Sequence, residues 1–421
     1  MKEHISYKLK NIFIVIIFNI AIFVPFVFGI LEKDKISSFS ENRTFSQLPD
    51  FPKTINDINM FPQEFSNYYS DHLGFRDWFI KYYKLVKFSL GDSPSPDVTI
   101  GQDGWLFLGG ITKGYKNYND PIGDARNVNL YSESDLKLFA KRMVYVKDWL
   151  KEKGIAYVFV IAPDKHTIYP EKLPKHIYKE NEISATDQAV KYLREYTDVN
   201  VIDLRDTLTN KKTTHNTYSK LGTHWNAYGA SIAQYKIIEE IEKIFPKQIL
   251  PEFAPLKTPK RGDMGLAKLI GVDFIEEHDL YPVFEKFCTP NKKIYNSDGR
   301  QNPRQTFTMI CDDQQLDTII FRDSFFLQLE PYFSRKFRRS TYIWEKLNYN
   351  SLVKYMELEK PDIVIEEWAE RIFPYVPSSS SMLSFKSLRN KDIFAKSDET
   401  IFSLDIAKLK LIKSLELKKS R

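Results

Sequence analysis

The sequence predicts a mostly parallel α/β sheet with helices on both faces, preceded by one helix long enough to cross a membrane. Three observations carry this: an uncharged N-terminal run, apolar segments of strand length, and amphipathic helical segments alternating with them.

From Ile12 to Leu31 there are 20 residues without a charge, interrupted only by Asn19, Pro25 and Gly29. At about 1.5 Å per residue such a run spans roughly 30 Å, the thickness of the hydrocarbon layer. It passes straight into Glu32-Lys33-Asp34-Lys35, without the small-residue cleavage site of a secretory signal. The expectation is an uncleaved single-pass anchor in the cytoplasmic membrane. Lys2, Lys8 and Lys10 keep the N-terminus inside, so the chain beyond residue 35 lies in the periplasm or outside the cell.

Beyond the anchor the net charge is modest: +6 for the whole chain, of which the first 35 residues hold +2. That balance, with no recognition motif, excludes nucleic acid as a partner. The two cysteines, Cys288 and Cys311, lie 23 positions apart. In an oxidising compartment they pair as a disulfide worth about 3 kcal/mol, or remain two buried thiols. Without a nearby His pair they make no zinc site, and no cofactor is implied.

Residues 36–93 read as a membrane-proximal accessory region. Its Pro-punctuated start leads into one long helix from about Gln63 to Leu90, and Ser-Pro-Ser-Pro at 93–96 breaks the chain. Val98-Thr99-Ile100 and Trp105-Leu106-Phe107 form a hairpin turning at Gln102-Asp103-Gly104. Residues 94–376 then alternate strands and helices. Ser132 to Lys153 is a Ser-capped helix stopped by Gly154, and Ile155 to Ala162 is a buried strand. Asn200 to Leu204, Asp317 to Phe321, Thr341 to Trp344 and Asp362 to Ile365 are further strands. Asn226 to Ile244, Phe325 to Phe333 and Ser351 to Leu358 are helical. Residues 245–310, rich in Pro and charge, read as an irregular insertion, and 377–421 as a basic tail. Apolar strands separated by helices belong to a parallel sheet covered on both sides.

Ligands of such sheets bind beyond the carboxyl ends of the strands. Ser324 stands there, between the strand ending at Phe321 and a helix whose N–H groups would face an oxyanion; its other reading is a helix cap. Among seven histidines, His224 precedes a helix in Gly222-Thr223-His224-Trp225-Asn226, whereas His72, His166, His176, His215 and His278 read mostly as surface residues. Lys165 and Tyr169, after the first strand, face the same crevice or are ordinary loop residues. Arg322 either binds an acidic sugar or pairs with Glu366, Glu367 or Glu370.

The segment around His224, with Gly229, resembles the Asp-x-His-Trp block of the alginate O-acetyltransferase family, SGNH-hydrolase-like proteins of the AlgJ/AlgX type. Further blocks agree in order: Ser40-Glu41-Asn42-Arg43, Asp71 to Asp77, Gly101 to Phe107, Ala162 to Lys165 with Tyr169-Pro170, Arg322 to Phe325, and Pro361 to Ile365 with Glu370-Arg371. The resemblance covers roughly residues 38–373 and is nearest in layout to AlgJ-type members. It implies an SGNH-type domain that transfers acetyl groups to hydroxyls of an exported polysaccharide. Ser324 would be acylated and His224 would be the base. From their places beside these blocks, Arg322, Trp225, Lys165, Tyr169 and Arg371 are the expected substrate contacts. It also implies a polytopic membrane-bound O-acyltransferase as partner and acetyl source. An esterase using the same Ser and His, or a non-catalytic polysaccharide-binding scaffold, are the alternatives. One departure matters: the family's acid, two residues before the His, is Gly222 here. A backbone carbonyl or another acid such as Asp203 takes its place, or the site is weak or dead.

Overall fold

The structure is a computed structural model describing residues 2–31, 36–38, 43–109, 120–251, 256–283, 291–294 and 306–372. These fall into two compact units, residues 1–95 with 267–275, and residues 96–266 with 276 onward.

In the first unit, helix α1 (Lys2–Leu31) contains a stretch, Lys10–Gly29, long and apolar enough to cross a membrane. The single long helix expected from Gln63 to Leu90 is instead two, α2 (Ile55–Asp71) and α3 (Arg76–Ser89). Thr54 starts α2 with a capping box to Asp57. The break falls at His72 to Phe75, where Gly74 is buried and Phe75 adopts φ 62°, a left-handed backbone that no helix continues through.

The second unit is built on a seven-stranded sheet. Its strands are β1 (Ala156–Ala162), β2 (Asn200–Asp203), β3 (Asn291–Ile294), β4 (Phe307–Ile310), β5 (Asp317–Phe321), β6 (Arg339–Ile343) and β7 (Ile363–Ala369). They lie in the order β2-β1-β7-β5-β6-β4-β3. The first five are mutually parallel; β4 runs antiparallel to both β6 and β3.

Alternation within the strands explains why both faces are covered. Val158, Val160, Ile320, Ile363 and Ile365 enter one core with Trp105, Trp225, Ile237 and Phe325. Tyr157, Phe159, Ile161, Ile319, Phe321 and Val364 enter the other, with Phe139, Met143, Trp149 and Leu352. Buried on both faces, these strands lack the polar alternation of a half-exposed sheet. Helix Glu133–Lys151 begins with a capping box between Ser132 and Asp135 and supplies the second core. Helix Ala227–Ile244, capped by Asn226 through the Gly229 amide at 2.9 Å, supplies the first.

Two further expectations are corrected. The segment Phe325 to Phe333 is a 3-10 turn, Phe325–Gln328, followed by a single α-turn, Glu330–Phe333, because Pro331 has no N–H to continue the ladder. Residues 245–310 are not simply irregular: Leu256–Arg261 and His278–Pro282 pair antiparallel with a register shift between Lys257 and Lys260, and β3 and β4 extend the sheet. Helix Ala185–Tyr196 starts with a capping box between Ser184 and Asp187. Cys311 is disulfide-bonded; Cys288, the chain's other cysteine, and the tail 377–421 lie outside the described residues.

Candidate active site

Parallel pairing brings the carboxyl ends of β5, β7 and β1 to one rim, with Phe321 opposite Glu366 and Glu366 opposite Phe159. At this rim the chain leaves β5 through Arg322 and Asp323 and reaches Ser324. Asp323 fixes that turn from three sides. Its amide donates to Glu367 Oε2 at 3.0 Å, and its carboxylate accepts from the amides of Phe325 at 2.8 Å and Ala369 at 2.9 Å. The Phe325 amide, one donor that a helix start would offer to an oxyanion, is thereby already engaged.

His224 reaches the same point from a loop 100 residues earlier. Its Nε2 lies 2.9 Å from Ser324 Oγ, and its ring packs edge-on against Phe325 at 4.9 Å between centroids. The other ring nitrogen, Nδ1, lies 3.3 Å from Asp263 Oδ2. Ser324, His224 and Asp263 are all partly exposed, so the row of three opens to solvent.

The carboxylate beside Nδ1 is that of Asp263, which comes from the insertion rather than the His block. The Asp203 alternative fails because that carboxylate is held by the Arg205 guanidinium at 2.7 Å. Asp263 Oδ2 also accepts from the Thr223 amide at 3.2 Å and Oδ1 from the Gly265 amide at 2.9 Å. Burial works against its charge, yet the hydrogen bond and charge attraction from His224, with these amides, hold the carboxyl down at about 2. A Cβ on Gly222 would overlap the Asp263 carboxyl group.

The insertion clamps the rest of the His224 loop as well. Glu277 accepts from the amides of Lys220 at 2.6 Å and Leu221 at 2.9 Å, and Asp279 takes the Ser219 hydroxyl at 2.5 Å. From below, Lys165 Nζ donates to the carbonyls of Ser219, Lys220 and Gly222 at 3.1, 3.1 and 2.5 Å. Burial pushes the Lys165 ammonium down to about 7 despite the raising fields of Glu277, Asp263 and Asp279.

The five residues expected at the substrate are buried, and their polar groups are turned inward. Lys165 holds the loop, as described. Tyr169 bonds its hydroxyl to Thr217. Trp225 donates Nε1 to Phe325 O at 2.9 Å, tying the His loop to the Ser turn. Arg371 pairs with Asp164 at 3.1 Å and lies over the Phe325 ring. Arg322 pairs with Glu330 at 2.7 Å and stacks on Trp344. Each supports the site from behind. His166, read as a surface residue, is buried too, with Nε2 2.7 Å from Leu108 O, and burial lowers its pKa to about 3.

Beside the site lies a cavity of about 60 Å³ whose polar lining includes Asp124, Asp164, His166, Asp187, Arg205 and Glu370. Burial raises Asp124 to about 8 and Glu370 to about 7. Among the described residues no cluster of three or more His, Cys, Asp or Glu side chains is arranged to hold a metal.

Residues 98–264 match the family model of the SGNH hydrolase-like domain of the acetyltransferase AlgX. No curated protein sequence matches. Solved structures of similar fold include the O-acetyltransferase domain of Pseudomonas putida AlgJ, at 17% identity over 68% of this chain and 95% of that one, TM-score 0.43. Bacillus cereus PatB1 with a sulfonyl adduct is similar at 13% identity over 66% of this chain and 97% of the other, TM-score 0.44. Pseudomonas aeruginosa AlgX is similar at 15% identity over 65% and 61%, TM-score 0.41. The stretch that matches this family model, residues 98–264, includes His224 and Asp263.

Proposed function

We propose that the chain is an O-acetyltransferase acting on an exported polysaccharide, with Ser324 as nucleophile, His224 as base and Asp263 as the acid that orients His224. The observation that carries this reading is the row of three groups, Oγ to Nε2 at 2.9 Å and Nδ1 to Oδ2 at 3.3 Å, at the carboxyl rim of a parallel sheet. A carboxylate kept ionised beside Nδ1 favours the tautomer with its proton there, leaving Nε2 free to take one from Ser324. Oγ then bonds to the acetyl carbon of a donor ester, and the donor's leaving oxygen departs with the proton that Nε2 received. A sugar hydroxyl next gives its proton to Nε2 and bonds to the acetyl carbon, and Ser324 Oγ leaves with that proton.

Helix α1 suits a single-pass anchor that keeps this domain at the outer face of the cytoplasmic membrane, where an exported polymer passes. A multi-span O-acyltransferase would bring the acetyl group across. Water as acceptor would make the same residues an esterase. Acetyl transfer from a model ester to oligosaccharide, compared between wild type and S324A, tests the reading. Loss of both transfer and hydrolysis in S324A is expected; an unchanged transfer rate rules the mechanism out.

A further inference from the structure

The accessory helices carry a surface that the acyl-transfer chemistry does not use. On α3, Trp78, Phe79, Tyr82, Tyr83 and Val86 are each more than half exposed. At about 100° per residue they fall within one arc roughly 140° wide. Every charged residue of α3 (Arg76, Asp77, Lys81, Lys84 and Lys87) falls outside that arc. Trp78 stacks on Tyr82 at 5.7 Å and Lys87 lies over Tyr83 at 5.8 Å, so the aromatic stripe is ordered and cationic at its margin. Helix α2 has a similar division, with Ile58, Phe61, Phe65 and Tyr69 on one side and Gln63, Asn67 and Ser70 on the other.

The depth of this surface is set by α1. Within the stretch Lys10–Gly29 the buried positions are Pro25 and Gly29; the other described side chains are exposed. What covers them is the turn between α2 and α3. The Gly74 amide donates to Pro25 O at 3.0 Å, and Phe28 meets Phe75 at 4.5 Å between centroids. A Cβ on Gly29 would overlap the backbone at His72, and one on Gly74 would overlap Pro25 and Phe28. Tyr69, on the apolar side of α2, faces Phe26 at 6.2 Å. Both helices therefore leave the last turns of the span. If those turns sit at the outer interface, an aromatic arc with cationic margins starts at headgroup level. That is the composition of a helix lying in the interface, and aromatic residues concentrate at that depth. A patch of this size facing water would be costly.

We infer that α3, with the apolar side of α2, lies in the outer interface of the bilayer, Trp78, Phe79, Tyr82 and Tyr83 among the lipid headgroups and upper acyl chains. This rests on the membrane-anchor reading above. Its occupant is lipid, and the span with its two flanking helices forms one membrane-seated platform.

The test uses the full chain in nanodiscs of phosphatidylcholine and phosphatidylglycerol, with and without bromines high on the acyl chains. Five of the six tryptophans are buried or half-buried in the second unit; Trp78 is the exposed one. Bromination should quench wild-type tryptophan emission, and W78F should abolish the bromine-dependent part while the discs still retain the protein. Disc-bound protein whose emission ignores bromine, or whose quenching is unchanged in W78F, overturns the interfacial placement and leaves anchoring intact; the arc then belongs to a protein partner. Protein that does not enter the discs at all overturns the anchor and the placement together.

Discussion

The carboxylate of Asp263 lies where a Cβ on Gly222 would have to stand. Position 222, two residues before His224, carries no side chain, and a residue 39 positions after His224 fills the space and meets Nδ1. The two sites are therefore coupled: neither can carry an acid independently of the other.

That coupling makes a swap informative. D263A should lower acetyl transfer by about ten-thousandfold, the scale seen when a triad acid is lost. G222D alone should also be impaired, because its side chain collides with Asp263. Placing the acid on the near side and clearing the far side, G222D/D263G, should recover much of the lost rate. Steady-state kinetics on a model acetyl ester read all three, and a double variant no better than D263A would show that Asp263 serves only the loop's shape.

Lys165 should matter to stability and rate alike without touching a substrate. Removing its ammonium in K165M leaves the carbonyls of Ser219, Lys220 and Gly222 without that donor in a buried setting. Leaving buried acceptors unmade costs about 3 kcal/mol in total. Denaturant unfolding should show that loss, accompanied by a fall in kcat as the His224 loop loosens.

Acids at the cavity beside the site give a pH dependence of definite sign. Asp124 titrates near 8 in the folded chain against an ordinary carboxyl value of 3.8. Between those values the folded state binds more protons than the unfolded state, so this group's contribution to stability falls as pH rises. Glu370 acts in the same direction up to about 7. Thermal unfolding of D124N should therefore decline less than wild type between about pH 4 and pH 8. Parallel curves for the two proteins would contradict the assignment.

Much of this architecture was legible because it rests on local signals. Ser132, with an acid three residues on, and Asn226 before an apolar run mark helix starts; unbroken apolar runs such as Tyr157 to Ala162 mark strands buried on both faces. Ser324 and His224 stood at strand and helix ends, where reactive groups are presented. Asp263 was hidden because its partner is distant in sequence and its stretch, Arg261 to Gly265, has neither helical nor strand periodicity. Lys165 and Arg322 stayed between substrate and structural roles for a related reason. A cation beside a strand end points to solvent or inward according to tertiary partners, here three carbonyls and Glu330, which no local pattern specifies. The break between α2 and α3 has no local signal because one left-handed residue, Phe75, lies inside a long aromatic run.

The central claim is that Ser324, activated by His224 and Asp263, accepts an acyl group. Peptide mapping after incubation with p-nitrophenyl acetate tests it most directly. The account predicts acetyl on Ser324 in wild type, formed far more slowly in H224A and D263A and absent in S324A. Acetylation confined to other residues, or equal labelling of Ser324 without His224, would contradict it.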